Sequence, residues 1–148
     1  MNERLASEIL TWKYEPPYDF YNNKLNEESV QEMVSNHYYA AFNGEELLGF
    51  FCYGQSAQVP AGNEYSAYDL DCIDIGLGMK PTQTGKGMGS EFLSYILNDA
   101  EQAHLNKSHR LTVANFNVRA IRLYRKFGFV SKVEFSNDKC TFLVMERE

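Results

Sequence analysis

One stretch, residues 74–90, constrains the fold most, because a strand pattern runs through closely spaced glycines directly into a helix pattern. Ile75, Leu77 and Met79 alternate with smaller residues, as in a strand, and Pro81 ends the alternation. Three glycines then follow at every second position: Gly85, Gly87 and Gly89. Glycine lets the main chain approach a ligand closely, and the start of a helix presents free N–H groups. The sequence therefore predicts a site for a phosphate-bearing ligand.

The patterns around this stretch predict one mixed α/β domain over residues 1–148. Asn43-Gly44 joins two strand patterns as a hairpin, and Gly128 stands where a left-handed residue ends a helix. The predicted helices are a short one capped by Asn2 that carries Leu5, Ile9 and Trp12, one over 27–35 capped by Asn26, one that follows Gly89 and runs to about His104, and one over 118–127 capped by Asn117. The predicted strands are 37–42, 46–53, 69–79, 110–114, 129–135 and 139–145.

Two further segments allow more than one interpretation. The segment 54–67, rich in Gly, Ser, Ala and Pro, is expected to be a loop, mobile enough to close over a ligand. Aromatic residues gather around a proline pair: Trp12, Tyr14, Tyr18, Phe20 and Tyr21. They form either a small hydrophobic cluster under a loop or one wall of a substrate pocket, because rings with polar tips commonly line such sites.

The charge distribution favours an anionic ligand at the glycines. Residues 1–79 carry 13 acidic and 3 basic side chains, whereas residues 80–132 carry 9 basic and 3 acidic ones. The glycines therefore lie at the start of the basic segment, although Arg119, Arg122 and Lys126 are equally explained as a solvated helix face. With a net charge of −6 and no basic–aromatic stripe, no nucleic-acid partner is expected.

The cysteine and hydropathy patterns predict a cytoplasmic protein without a metal site. Cys52, Cys72 and Cys140 fall singly in apolar runs, as buried reduced thiols do, and the three histidines show no ligand spacing. No run approaches the ~18–20 apolar residues that span a bilayer, and the first residues show no export signal. Neither a membrane nor a metal partner is expected.

Two stretches together resemble the GNAT superfamily of acetyl-CoA-dependent N-acetyltransferases. The first is Gly85-Lys86-Gly87-Met88-Gly89, after a strand that ends Leu77-Gly78-Met79-Lys80-Pro81. The second, residues 117–129, reads Asn-Val-Arg-Ala-Ile-Arg-Leu-Tyr-Arg-Lys-Phe-Gly-Phe and is similar to the family's Asn…Ala…Leu-Tyr…Gly-Phe signature. The resemblance implies an α/β (α+β) fold: a central mixed, mostly antiparallel sheet flanked by helices, with splayed strands at the cofactor site. Members of the family usually begin with a strand before the first helix, whereas Met1 lies almost at that helix here, so this first edge strand is expected to be short or missing. A partner chain that covers this edge, as in a homodimer, is one expected consequence.

The resemblance also implies how acetyl-CoA is held. Backbone N–H groups of residues 85–89 would hold the pyrophosphate, the strand edge at Leu77 and Met79 would pair with the pantetheine arm, and Asn117 would contact that arm. The full implied set is Leu77, Gly78, Met79, Thr84, Gly85, Lys86, Gly87, Met88, Gly89, Ser90, Asn117, Ala120 and Tyr124. The family usually has Gln or Arg where Thr84 stands, but that contact is made largely by backbone, so binding is expected to persist, though weakened.

Acetyl transfer needs a hydrogen-bond donor that stabilises the oxyanion, a proton donor for the leaving thiolate and a base that accepts the amine proton. N–H groups near Leu77 and Gly78 are the expected oxyanion donors, because a glycine inside a strand often marks a bulge or a close ligand. Tyr124, with an ordinary tyrosine pKa of ~10, can give its proton to the leaving thiolate, whose thiol has a pKa near ~8.5, or else it is a core tyrosine. Asp74 and Asp71 are the candidate bases, or else surface charges or ligands of a cationic acceptor.

These residues predict an enzyme that acetylates a primary amine by direct attack in a ternary complex, because no Ser/His/Asp or Cys/His arrangement is present. The amine is a protein N-terminus, a lysine, a polyamine or another small amine, and the acidic first half mildly favours a cationic one. The alternative is a non-catalytic module that binds or senses acyl-CoA. A dinucleotide oxidoreductase needs G-x-G-x-x-G in its first βα unit, and a P-loop needs Ser or Thr where Gly87 stands, so both are disfavoured.

Overall fold

The computed structural model describes residues 1–148 and contains four α-helices and six β-strands in the predicted order. The helices are α1 (Glu3–Leu10), α2 (Glu27–Ser35), α3 (Gly89–Ala103) and α4 (Val118–Lys126). The strands are β1 (Tyr38–Asn43), β2 (Glu46–Tyr53), β3 (Cys72–Met79), β4 (Ser108–Ala114), β5 (Val130–Ser136) and β6 (Thr141–Arg147). No helix is long and apolar enough to cross a membrane.

The strands form one mixed sheet in the order β1-β2-β3-β4-β6-β5. β3 pairs with β4 in parallel, whereas the pairs β1–β2, β4–β6 and β5–β6 are antiparallel. This arrangement confirms the predicted α/β fold with a mixed, mostly antiparallel sheet. The β3–β4 ladder runs from Cys72 opposite Ser108 to Ile75 opposite Leu111, and Gly76 lies outside it.

Packing divides the chain into two compact units. The first contains residues 1–52 and 77–88, and the second contains residues 53–76 and 89–148. That residues 1–148 act as a single domain stays a prediction.

The first unit is built on two short capped helices. The side-chain oxygen of Asn2 accepts the N–H of Leu5 at 2.9 Å, and that of Asn26 accepts the N–H of Ser29 at 2.8 Å, as the sequence predicts. Gly44 adopts φ 66° in the predicted hairpin turn. The core of this unit consists of Ala6, Ile9, Leu10, Trp12, Met33 and Leu47. Trp12 lies beyond the end of α1, so it extends the core without belonging to the helix.

In the second unit the segment 54–67 is held in place, unlike the mobile loop expected from its composition. Two 3-10 turns, Gly54–Ala57 and Pro60–Tyr65, give it regular structure. The Tyr68 hydroxyl accepts the N–H of Val59 at 3.0 Å and lies 2.8 Å from the hydroxyl of Thr112. Gly62 is packed so closely that an added Cβ would come within 2.7 Å of the Tyr68 ring. These contacts leave the segment little freedom to act as a lid.

A buried histidine in the second unit makes folding depend on pH. His109 lies in β4 with its side chain 5% exposed, and its Nε2 atom has no hydrogen-bond partner. Burial lowers the pKa of His109 most, and the nearby Arg147 on β6 lowers it too. Glu101 on α3 has a smaller, opposite effect, and His104, directly after α3, lowers the pKa further. Since the unfolded chain binds a proton near pH 6.5 and the folded chain binds it only at lower pH, stability falls as pH drops below about 6.5.

The His109→Leu variant tests this dependence. Its unfolding free energy should change less between pH 7.5 and pH 5, because the group responsible for up to about 1.4 kcal/mol per pH unit is gone. Urea titrations at both pH values measure the difference. The same substitution at His37, an exposed residue, is the matched control. If the unfolding free energy changes equally with pH in the wild type and in His109→Leu, His109 is not the cause of the pH dependence.

Candidate active site

The glycine segment after β3 has the open backbone that the sequence predicts. Pro81–Gln83 forms a single 3-10 turn, and α3 begins at Gly89. Gly85 and Gly87 have φ values of 74° and 76°, a region that other residues rarely adopt, and a Cβ on either would meet nothing within 4 Å. The requirement for glycine is therefore conformational. An exposed, left-handed backbone directly before a 15-residue helix fits a phosphate-bearing ligand.

Side chains at the start of this segment are already engaged in other contacts. The Thr84 hydroxyl donates to the Pro81 carbonyl at 2.8 Å, and the Thr84 N–H points to the same oxygen at 3.4 Å. The side-chain amide of Gln83 donates to Glu46 at the start of β2 at 2.7 Å. The hydroxyl and the N–H of Thr84 are thus both engaged within the turn, whereas Lys86 is exposed. Phosphate binding by residues 84–89 stays a prediction.

The end of β3 has one edge paired with β2 and one edge directed away from it. The N–H of Lys80 donates to the Leu48 carbonyl at 2.8 Å, which places Lys80 on the β2 side. Because alternate residues of a strand direct their N–H and C=O groups to opposite sides, Gly78 also faces β2, whereas Leu77 and Met79 face away. The predicted pairing edge, Leu77 and Met79, is therefore the edge away from β2. Of the two predicted oxyanion donors, Gly78 therefore faces β2 and Leu77 faces away from it.

Gly78 has a steric role instead. A Cβ at this position would overlap the ring of Phe50 on β2. The Phe50 ring also lies 6.3 Å from that of Trp12 and 6.2 Å from that of Tyr38, measured between centroids. Glycine at position 78 thus allows an aromatic cluster to pack directly against the end of β3.

In the second unit the start of α3 lies against α4. A Cβ on Gly89 would lie 3.3 Å from the Leu123 side chain, so the two predicted motif stretches meet here. Asn117 caps α4 by accepting the N–H of Ala120 at 3.1 Å. Tyr124 is 8% exposed, and its ring lies 6.2 Å from that of Phe129. Ser90 follows Gly89 in the first turn of α3 and is half-buried. The binding roles of Asn117, Ala120 and Ser90 and the acid role of Tyr124 stay predictions.

Asp74 is engaged in a buried network, which argues against its predicted role as a base. Its two carboxylate oxygens accept from Nε and a terminal nitrogen of Arg110, at 2.6 and 2.8 Å, and from the Gln58 amide at 2.8 Å. Asp74 is 4% and Arg110 2% exposed, and the hydrogen bond that Arg110 donates to Asp74 raises the pKa of Arg110. Arg110 also donates to the Leu70 carbonyl at 2.9 Å, which explains why β3 begins at Cys72 instead of position 69.

Asp71 is also unsuited to the base role that the sequence predicts. Its side chain is 82% exposed and forms an ion pair with Lys107 at 3.0 Å. It lies before the first residue of β3, at the opposite end of the strand from Gly78 and Met79. Asp74 thus belongs to a buried ion pair, and Asp71 to an ion pair on the surface.

The first unit contains an open groove of about 760 Å³, here called the α2 groove. Its lining residues come from α1, α2 and the sheet: Ile9, Leu10, Asn23, Glu28, Ser29, Gln31, Glu32, Met33, Ser35, Asn36, Tyr38 and Phe50. Phe50 therefore contributes to the groove and also touches the end of β3. Glu28 and Glu32, one helical turn apart and both exposed, are its only charged residues. The groove thus combines aromatic walls with negative charge.

Sequence reasoning missed several of these residues. Arg110 carries one signal: it is the first residue of the predicted strand 110–114, and an arginine that packs into a sheet needs a buried partner. Phe50, Glu28 and Glu32 carry none, since aromatic residues and glutamates are ordinary on strands and helices. The aromatic residues around the proline pair have different contacts. Trp12 belongs to the core of the first unit, whereas Tyr14 reaches the end of β3.

The sequence profile of the Acetyltransferase (GNAT) family matches residues 4–129. The chain belongs to the GNAT acetyltransferase family. It is accordingly an acyltransferase, and the prediction made from the two motif stretches is confirmed.

Individual relatives agree with this assignment. The spermine/spermidine N(1)-acetyltransferase of Bacillus subtilis is 28% identical over 115 residues, which cover 74% of this chain and 73% of that protein. The solved structure of aminoglycoside acetyltransferase AAC(6')-Ib with coenzyme A is 17% identical and has a TM-score of 0.71 over 99% of this chain and 91% of that one. The Campylobacter jejuni N-acetyltransferase PseH with acetyl coenzyme A is 18% identical, with a TM-score of 0.57 over 82% and 75% of the two chains. These two structures confirm the GNAT fold.

Proposed function

We propose that this GNAT enzyme transfers the acetyl group of acetyl-CoA to a primary amine of a polyamine or similar small polycation, by direct attack in a ternary complex. The observation that carries the proposal is the left-handed, open backbone at Gly85 and Gly87 directly before α3. This backbone suits the pyrophosphate of acetyl-CoA, and solved GNAT structures hold that cosubstrate or coenzyme A.

Acetyl-CoA, when bound, supplies the thioester carbon that the amine nitrogen attacks and the sulfur that leaves. The N–H groups of Leu77 and Met79, on the edge of β3 away from β2, donate hydrogen bonds to the oxygen on which negative charge develops. The Tyr124 hydroxyl gives its proton to the departing sulfur as the C–S bond breaks. Because Asp74 and Asp71 are both engaged elsewhere, the amine loses its proton to solvent, and solvent returns a proton to the Tyr124 oxygen after the thiol has left.

Two observations support a polycationic acceptor. The first is the α2 groove, whose carboxylates at Glu28 and Glu32 complement ammonium groups and whose Tyr38 and Phe50 rings complement the methylene segments between them. The second is the Bacillus subtilis relative, described as acting on spermine and spermidine. Phe50 links the groove to the end of β3.

A two-step experiment tests the function. Acetyl-CoA at about 100 times its Kd should raise the melting temperature by about 5–10 °C, since such binding adds about 2.7 kcal/mol of stability. Release of free thiol is then followed with spermine, spermidine, free lysine and a peptide N-terminus. Faster release with the polyamines supports the acceptor class. Absence of a melting shift would refute the donor site. A melting shift without thiol release from any amine would favour the alternative, an acyl-CoA sensor.

Neutralising the groove tests the acceptor separately from the donor. The double variant Glu28→Gln/Glu32→Gln should raise KM for spermine about tenfold and leave kcat nearly unchanged, because each exposed carboxylate contributes less than about 1 kcal/mol. The effect should shrink as salt is added. Glu27→Gln, the neighbouring exposed residue of α2 that does not line the groove, is the matched control. Equal KM values in all three proteins would exclude the α2 groove as the polyamine site.

We also propose a cytoplasmic location, consistent with three free cysteines. A homodimer that covers the outer edge of β1 is a further proposal, because β1 is an edge strand of the sheet. Size-exclusion chromatography with light scattering measures the oligomeric state directly.

A further inference from the structure

Tyr14 connects the segment after α1 to the end of β3. Its hydroxyl donates to the carbonyl oxygen of Met79 at 2.7 Å, across 65 positions of sequence. This carbonyl belongs to the edge of β3 that faces away from β2, as the hydrogen bond from Lys80 to Leu48 establishes. The Tyr14 side chain therefore reaches the same edge with which the pantetheine arm is proposed to pair.

The position of Tyr14 is fixed by contacts on both its backbone and its ring. Its N–H donates to the side-chain oxygen of Asn22 at 2.8 Å. Its half-buried ring packs against the core of the first unit, formed by α1, Met33 and Leu47. Burial raises the pKa of Tyr14 to about 12, so the hydroxyl keeps its proton and stays a donor throughout the neutral and mildly alkaline range.

A carbonyl oxygen can accept two hydrogen bonds, so the bond from Tyr14 leaves Met79 able to accept a second one. It also restricts rotation of the Met79 peptide, which has no neighbouring strand of the first unit on this side. We propose that Tyr14 is a positioning residue for the donor: its hydroxyl holds the Met79 carbonyl in the orientation that pairs with an amide N–H of the pantetheine arm. This inference rests on the proposed use of acetyl-CoA.

The Tyr14→Phe variant tests the role, because it removes the hydroxyl and keeps the ring. Binding is measured for two ligands: acetyl-CoA, and adenosine 3′-phosphate 5′-diphosphate, which is the nucleotide half of coenzyme A without the arm. The Kd for acetyl-CoA should rise about five- to tenfold, the effect of one lost hydrogen bond, whereas the Kd for the nucleotide should change less than about twofold. The KM for acetyl-CoA should rise in parallel, with kcat within about twofold of wild type.

The outcomes separate this inference from the proposed function. Equal weakening of both ligands would mean that Tyr14 supports the fold only, and unchanged acetyl-CoA binding would mean that it has no positioning role; either result overturns the inference. If the wild-type protein binds neither ligand, the proposed donor site itself fails. Tyr65→Phe, the same change on a half-exposed ring stacked on Phe135, is the control. Asn22→Ala, which loosens the Tyr14 backbone without changing its ring, should reproduce the selective loss and covers the case in which Tyr14→Phe fails to fold.

Discussion

Replacing Tyr124 by phenylalanine is expected to lower kcat for amine acetylation about 100-fold or more, while the Kd for acetyl-CoA stays within about twofold of wild type. A general acid typically contributes about 10²- to 10⁴-fold, and the substitution removes only the hydroxyl that donates the proton. The ring is buried and packs near Phe129, and phenylalanine preserves that packing. Steady-state thiol release measures kcat, and isothermal titration measures the Kd.

The control for this prediction is Tyr95→Phe, the same change on α3, where the tyrosine is 57% exposed. It should keep full activity. A Tyr124→Phe variant with wild-type kcat would show that Tyr124 is a core residue and that the thiolate is protonated by another group. Loss of acetyl-CoA binding together with activity would instead assign Tyr124 to cofactor binding.

Replacing Arg110 by methionine is expected to lower the unfolding free energy by about 3–5 kcal/mol, the largest stability effect predicted for this chain. The cost arises because Asp74 stays buried without the guanidinium that accompanies it, and removal of one partner of a buried ion pair leaves such an uncompensated charge. The carbonyl of Leu70 also loses its donor. For a chain of this length the melting temperature should fall by about 10 °C.

A second replacement distinguishes charge from packing. The double variant Asp74→Leu/Arg110→Met removes both charges and should recover at least half of the lost stability, since an apolar pair often replaces a buried ion pair at little cost. Lys107→Met, which breaks the exposed ion pair with Asp71, is the control and should cost less than about 1 kcal/mol. If Arg110→Met and Lys107→Met lower the unfolding free energy equally, the buried Arg110–Asp74 pair does not stabilise the fold more than an exposed ion pair does.

Local patterns predicted most of the fold correctly because their causes are local. Asn2, Asn26 and Asn117 each cap the helix that follows, and Gly44 and Gly128 adopt the left-handed conformations that their turns require. These choices depend on a few neighbouring residues, so the sequence alone displays them. The predicted strand start at position 69 was wrong by three residues, because a distant side chain, Arg110, takes the carbonyl of Leu70.

The candidate site was predicted in part for the same reason. The open backbone at Gly85 and Gly87 could be predicted, because glycines spaced directly before a helix let the main chain stay accessible to a ligand. The roles of Asp74 and Tyr14 could not be assigned, since each is decided by a partner 36 or 65 positions away. A strand aspartate looks the same in sequence whether it faces solvent or a buried guanidinium, and only tertiary packing separates the two.

The contact between Phe50 and Gly78 has a consequence for engineering this enzyme. One face of the Phe50 ring borders the α2 groove, and the ring also fills the space above Gly78 at the end of β3. A smaller residue at position 50 would widen the α2 groove, the proposed amine site, and would also open room beside the end of β3, where the thioester is proposed to lie. Under the proposed function, one side chain would then couple acceptor range to tolerance for longer acyl chains, so that selection for one would change the other.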